Sequence, residues 1–142
     1  MAQISLAADS TTLTLNGRVM QDFEAGDRFT LAPVNPKTSH TNSSNNGVTI
    51  TERVDGGVHD LTLRVQKHSD DDVFLNTLRN DPSVIIVGSS KEVFVKDGTD
   101  GVDTHELQAG SITTQPTSTR NDQDGNSLME YVIRFRNVVR SI

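Results

Sequence analysis

The chain has no cysteine and no tryptophan, and five phenylalanines and one tyrosine are its only aromatic residues. Without cysteine there can be no disulfide, thiolate metal centre or cysteine nucleophile. The shortage of aromatic rings argues against a carbohydrate-binding β-sandwich, which presents exposed rings to sugar faces. Long apolar runs are also missing. The longest, Val84–Val87, falls far short of the roughly 18 residues of a membrane span, so no membrane anchor is expected. Met1–Ser10 has no basic residue ahead of an apolar stretch, so it does not read as a signal peptide. Basic charge is in deficit, with 13 Lys and Arg against 19 Asp and Glu and a net charge of −6. A protein that grips nucleic-acid phosphates carries a basic stripe, and none is visible here. Apolar residues make up only 33% of the chain, low for a globular domain even with glycine added, where roughly 45–50% is usual. The chain is long enough for a single domain spanning residues 1–142, but with a thin core. Thin β proteins often complete their burial against further copies of themselves.

What is present is β patterning with one helix. Thr11–Leu15 alternates, Asn16-Gly17 is a strong hairpin signal, and Arg18–Phe23 returns. Glu24–Asp27 reads as a turn, and Phe29 and Leu31 alternate up to Pro33. Asn35–Gly47 holds no strongly apolar residue and reads as a long polar loop, a feature that in compact chains is usually functional or disordered. Val48–Val54 is a strand, Asp55-Gly56-Gly57 a turn and Val58–Lys67 a strand with Leu61, Leu63 and Val65 on one face. Ser69 is placed to cap a helix over Asp70–Asn80, whose acidic first turn suits the helix dipole and which Asp81-Pro82 ends. Phe74, Leu75 and Leu78 give it an apolar side, and the Phe74/Leu78 side is expected to pack on a sheet. Val84–Val87, apolar on both faces, is expected in a central strand covered from both sides. Glu92–Lys96 alternates, Asp97-Gly98 and Asp100-Gly101 mark a turn, and Val102–Thr114 is a weaker strand. Pro116–Ser127 reads as a second polar loop, and Leu128–Val139 as a last strand with Met129, Tyr131, Ile133 and Phe135 on one face. The expected fold is mainly β, a β-sandwich or barrel of about eight or nine strands with one short helix.

No residue constellation carries chemistry. Asp122–Gly125 resembles part of a calcium loop, but the positions that need an acid and a glutamate hold Arg120 and Tyr131. His40, His59, His68 and His105 have no metal-ligand spacing. Asp70, Asp71 and Asp72 could be an acid–base or metal cluster, but a charged first helical turn accounts for all three. No serine lies in a nucleophile motif, and no glycine loop suits a phosphate. The expectation is a structural protein, not an enzyme, with no cofactor.

The order of these features resembles the tail tube protein of contractile-tailed bacteriophages. The resemblance runs over nearly the whole chain: T-x-T-L-N-G at Thr12–Gly17, D-F-x-x-G-D at Asp22–Asp27, the long polar loop, D-G-G at Asp55–Gly57 and D-L-T-L-R-V-x-K-x-S at Asp60–Ser69. The D-D-x-x-L-N-x-L helix at Asp71–Leu78, F-V-K-D-G at Phe94–Gly98 and the closing amphipathic strand complete it. The resemblance implies a homo-oligomer of stacked hexameric rings in a virion tail, built in the host cytoplasm, with sheath, baseplate and tail terminator proteins as partners. DNA would pass through the bore without specific binding. The polar loop would contact the next ring, through Asn35, Lys37, Thr38, His40, Asn42, Asn45 and Asn46, with residues 1–10 as an N-terminal arm. Glu52, Asp55 and Asp60 are the candidates for acids facing the lumen. The inner tube of a type VI secretion system or of a phage-derived bacteriocin is the alternative of the same fold.

Overall fold

The computed structural model describes residues 3–23, 28–120, 122 and 127–142, with residues 7–10 described by their backbone alone. Nine strands and one helix follow in order: β1 (Ile4–Leu15), β2 (Arg18–Val19), β3 (Phe29–Pro33), β4 (Thr38–Asn42), β5 (Val48–Glu52), β6 (His59–Gln66), α1 (Asp70–Asn80), β7 (Ile86–Lys96), β8 (Thr99–Thr119) and β9 (Leu128–Ser141). Seven strands form one antiparallel sheet in the order β2-β1-β7-β8-β9-β6-β3, and β4 and β5 form a separate two-stranded ribbon.

Local chemistry accounts for much of this. Asn16-Gly17 and Asp97-Gly98 both turn with positive φ at both residues, as the tightest hairpins require. The Ser69 hydroxyl accepts from the Asp72 N–H, while the Asp72 carboxylate accepts from the His68 N–H at 2.9 Å, a reciprocal cap that starts α1 where expected. In β6 and β9 the alternation is clean: Leu61, Leu63, Val65, Tyr131, Ile133 and Phe135 are all fully buried.

The sheet is strongly curled. β1 and β6 stand four strand positions apart, about 19 Å in a flat sheet, yet Leu13 and Leu15 share one core cluster with Leu61, Leu63 and Val65. The stretch Met20–Phe23 bridges the two. The Met20 N–H donates to the Leu13 carbonyl, Asp22 accepts from the Gln66 N–H, and Phe23 pairs with Val65. The strands do not close into a barrel, because β2 and β3 are not paired with each other.

Several expectations change. β1 begins at Ile4, so part of the proposed N-terminal arm is a strand of the main sheet, bonded to β7. Only Arg18–Val19 of the second strand pairs with β1, because the chain then leaves to bridge toward β6. The polar loop at 35–47 contains a strand, since Thr38–Asn42 pairs in register with Val48–Glu52. Asp100-Gly101 lies inside β8 and not in a turn: a side chain on Gly101 would strike the Phe94 ring. β8 runs on through Pro116 to Thr119, so the second polar loop is shorter than expected; residues 24–27, 121 and 123–126 lie outside those described. Val84–Val87 is not a doubly covered strand. Ile86 alone is buried, and Val84, Ile85 and Val87 are exposed.

On α1, Leu75 is fully buried, and Phe74 and Leu78 are half-buried against the same core. Leu75→Ala is expected to cost about 2–5 kcal/mol of folding stability, and Leu78→Ala clearly less. Urea unfolding of the two variants checks the order, and an equal loss would overturn the placement.

Candidate functional site

The most concentrated polar chemistry lies where α1 meets the bridging stretch. Asp71 is fully buried. Its Oδ1 accepts from the Arg18 guanidinium at 2.9 and 3.0 Å, and its Oδ2 accepts the Gln21 and Asp22 backbone N–H groups at 2.6 and 2.7 Å. The same Arg18 lies over the Phe74 ring, 5.6 Å from its centre. Beside it, the Tyr131 hydroxyl donates to Asp72 at 2.7 Å. Burial, reinforced by the Asp72 carboxylate, pushes the Tyr131 phenol well above its ordinary value of 10.0. The oxygens of Asp71 and Asp72 are thus taken up by the protein itself. The first-turn explanation holds for Asp72, but Asp71 is a buried tether, one turn from Leu75 on the helix's buried side. Its spacing of four and seven from Leu75 and Leu78 was the available signal.

The β4–β5 ribbon is an arm. All ten of its strand residues are exposed. Its tip is turned by Asn46 at φ 63, with Ser43 and Gly47 exchanging hydrogen bonds of 2.7 and 2.9 Å. Its base is tied down where the Arg53 N–H donates to the Lys37 carbonyl and the Asn35 side chain donates to the Asp55 carbonyl. The residues nominated for a contact between rings therefore divide. Thr38, His40 and Asn42 lie on β4 with Val48 and Ile50 across from them, Asn45 and Asn46 lie at the tip, and Asn35 and Lys37 lie at the base.

The three nominated acids do not form one charged cluster. Asp55 is clasped by Arg53 at 2.9 and 3.1 Å, which holds its carboxyl below the usual range. Asp60 stands opposite Arg134 in the β6–β9 register and is bound by it at 2.9 and 3.1 Å. Glu52 has no ion-pair partner among the described residues. Two of the three charges are thus offset locally by an arginine. The β6–β9 face that carries Asp60 also carries Arg64, paired with Glu130, and the exposed Arg136.

No protein-family model matches the chain, and no curated protein matches its sequence. Solved structures do match in fold. A chain of the PVC extracellular contractile injection system, in its extended sheath–tube complex, is 10% identical with a TM-score of 0.65, over 96% of this chain and 91% of that one. A chain of the sheath/tube terminator of that system is 9% identical with a TM-score of 0.67, over 97% of both. Hcp1 from Flavobacterium johnsoniae is 12% identical with a TM-score of 0.54, over 92% and 94%. The fold is thus that of contractile-injection tail tubes, as the sequence resemblance implied.

Two outcomes test the buried tether. Asp71→Asn sets an amide NH2 against backbone N–H groups and removes Arg18's counter-charge, and the expected loss is about 2–3 kcal/mol in urea unfolding, since Arg18 itself stays partly hydrated. Tyr131 is the only tyrosine, so phenolate absorbance reports it alone. The folded state holds the phenol protonated where the unfolded chain ionises. Stability is therefore complete below about pH 10 and falls as pH rises above it. Phenolate is expected to appear only together with unfolding, and Tyr131→Phe to flatten the alkaline decline.

Proposed function

We propose that this chain is a tube subunit of a contractile injection particle. It would assemble into six-membered rings that stack into a hollow tube, with sheath, baseplate and terminator proteins as its partners. The observation that carries this reading is the likeness of fold to the sheath–tube complex chain, which spans nearly all of both chains. Two features of the chain support it. The main sheet ends in open edges, β2 being only two residues long and β3 bonded on one side only; such edges invite pairing with another chain. The arm at 38–52, whose strand residues are all exposed, suits a contact between rings, as the resemblance implied for 35–47.

In a phage tail the bore would conduct DNA during ejection. The charge of −6 per subunit and the local neutralisation of Arg64 by Glu130 and of Arg134 by Asp60 favour passage without adhesion. A second reading is a tube-end protein, favoured by the terminator likeness. Both readings are structural and require no catalysis.

Electron microscopy and sedimentation of the purified protein distinguish them. Long tubes of stacked rings are expected. Discrete rings that never stack would favour the terminator reading, and a strict monomer at high concentration would overturn both. Assembled tubes are also expected to leave duplex DNA unshifted in a gel at low salt, where tight binding would contradict the passage role.

A further inference from the structure

We propose that Asn46, at the tip of the β4–β5 arm, is a site of spontaneous chemical modification, at which the side-chain amide is lost to give aspartate or isoaspartate, and that the Ser43 hydroxyl is the brake on that reaction. The reaction requires nothing of the tube reading above. Asparagine is among the least durable side chains, and a following glycine makes it less so. The glycine backbone nitrogen can attack the asparagine side-chain carbonyl carbon, with no Cβ to hinder the approach. Here the bond from the Gly47 nitrogen to Asn46 Cγ forms and the Cγ–Nδ2 bond breaks. The amide leaves as ammonia, carrying the proton of the Gly47 N–H. Water then opens the cyclic imide. Attack at Cγ gives an ordinary aspartate. Attack at the main-chain carbonyl carbon gives isoaspartate, with the chain routed through the side chain.

The sequence holds two such pairs, Asn16-Gly17 and Asn46-Gly47, and the fold treats them differently. Asn16 is half-buried in the turn between β1 and β2. Its Oδ1 accepts the Val87 N–H at 2.9 Å, while its own N–H donates to the Val87 carbonyl at 2.8 Å. Swinging its Cγ onto the Gly17 nitrogen would break the first of these. Asn46 is exposed, and its side chain has no hydrogen-bond partner among the described residues. The ribbon that carries it is exposed along both strands, and such a ribbon opens at small cost.

One exchange restrains the tip. The Gly47 N–H donates to Ser43 Oγ at 2.9 Å, and the Ser43 N–H donates to the Gly47 carbonyl at 2.7 Å. The nitrogen attacks only after giving up its proton, so a hydroxyl that holds that proton away from solvent base slows the step. The product cannot keep this turn. Asn46 sits at φ 63, a conformation that asparagine tolerates. Isoaspartate adds a methylene to the main chain at that point, and the Ser43–Gly47 exchange and the adjoining Asn42–Val48 pairing go with it. Either product also places a carboxylate in the run 41–51, which otherwise holds no charged residue.

Ageing the folded protein in mildly alkaline buffer, followed by trypsin and mass spectrometry, tests this. Trypsin puts the two pairs on separate peptides, 1–18 and 38–53. The 38–53 peptide is expected to gain one mass unit at Asn46 several-fold faster than the 1–18 peptide does at Asn16. In urea, where neither turn persists, the two sites should react at similar rates. Ser43→Ala should speed the reaction at Asn46 several-fold and leave Asn16 unchanged, Ser43→Thr should hold the original rate, and Gly47→Ala should stop it. Asn16 reacting as fast as Asn46 in the folded protein, or Asn46 surviving while the urea control converts, would overturn the site. A Ser43→Ala rate that is unchanged or slower, or a Ser43→Thr rate equal to that of Ser43→Ala, would overturn the brake. Amides of 38–42 and 48–52 should exchange faster in the isoaspartate product than in the unaged protein, and equal protection would overturn the loss of the turn.

Discussion

The shape of this molecule depends on one buried carboxylate. The curled sheet has to be held with β1 near β6, and the stretch that spans them, Met20–Phe23, offers few backbone bonds of its own. Asp71 supplies the hold. It receives two consecutive N–H groups of that stretch and the guanidinium of Arg18 at the end of the first hairpin, from the first turn of a helix seated on β6. A buried charge is costly unless every lone pair is used, and here both oxygens are. The helix is therefore less a cover for the core than the element that carries this tether into place.

The thin core follows from the same geometry. Among the described residues twelve buried apolar side chains form a single cluster, and β7, β8 and β9 run on beyond their members of it, Ile86, Leu107, and Tyr131, Ile133 and Phe135. Exposed apolar side chains remain beyond that cluster, among them Ile4, Leu6 and Ile142.

Much of the local structure was legible in the chain. The helix runs over Asp70–Asn80 as its cap, acids and proline imply, and Asn16-Gly17 and Asp97-Gly98 turn as such pairs do. The inward set on β6 and β9 is the one the alternation indicates. Each of these rests on interactions between residues close in sequence or on a period of two. The arm was hidden because the pairing of Thr38–Asn42 with Val48–Glu52 leaves every side chain exposed, so no hydrophobic alternation on β4 betrays it. The run Val84–Val87 misled for the opposite reason: apolar composition says what would prefer burial, not whether the chain has anything left to bury it against.

The sequence by itself determined the β class, the helix and its ends, the Asn16-Gly17 and Asp97-Gly98 turns and the inward face of β6 and β9. These follow from local sterics, capping and periodicity, which act over a few residues. Only the tertiary structure decided that the sheet curls, that Asp71 is buried while Asp70 is exposed, that Asp55 and Asp60 are each matched to an arginine, and that Ile4, Leu6 and Ile142 stay exposed. The physical reason is that burial and charge compensation are set by what lies across space. Arg18 is 53 residues from Asp71 and Arg134 is 74 from Asp60, and no local pattern encodes a partner at that range.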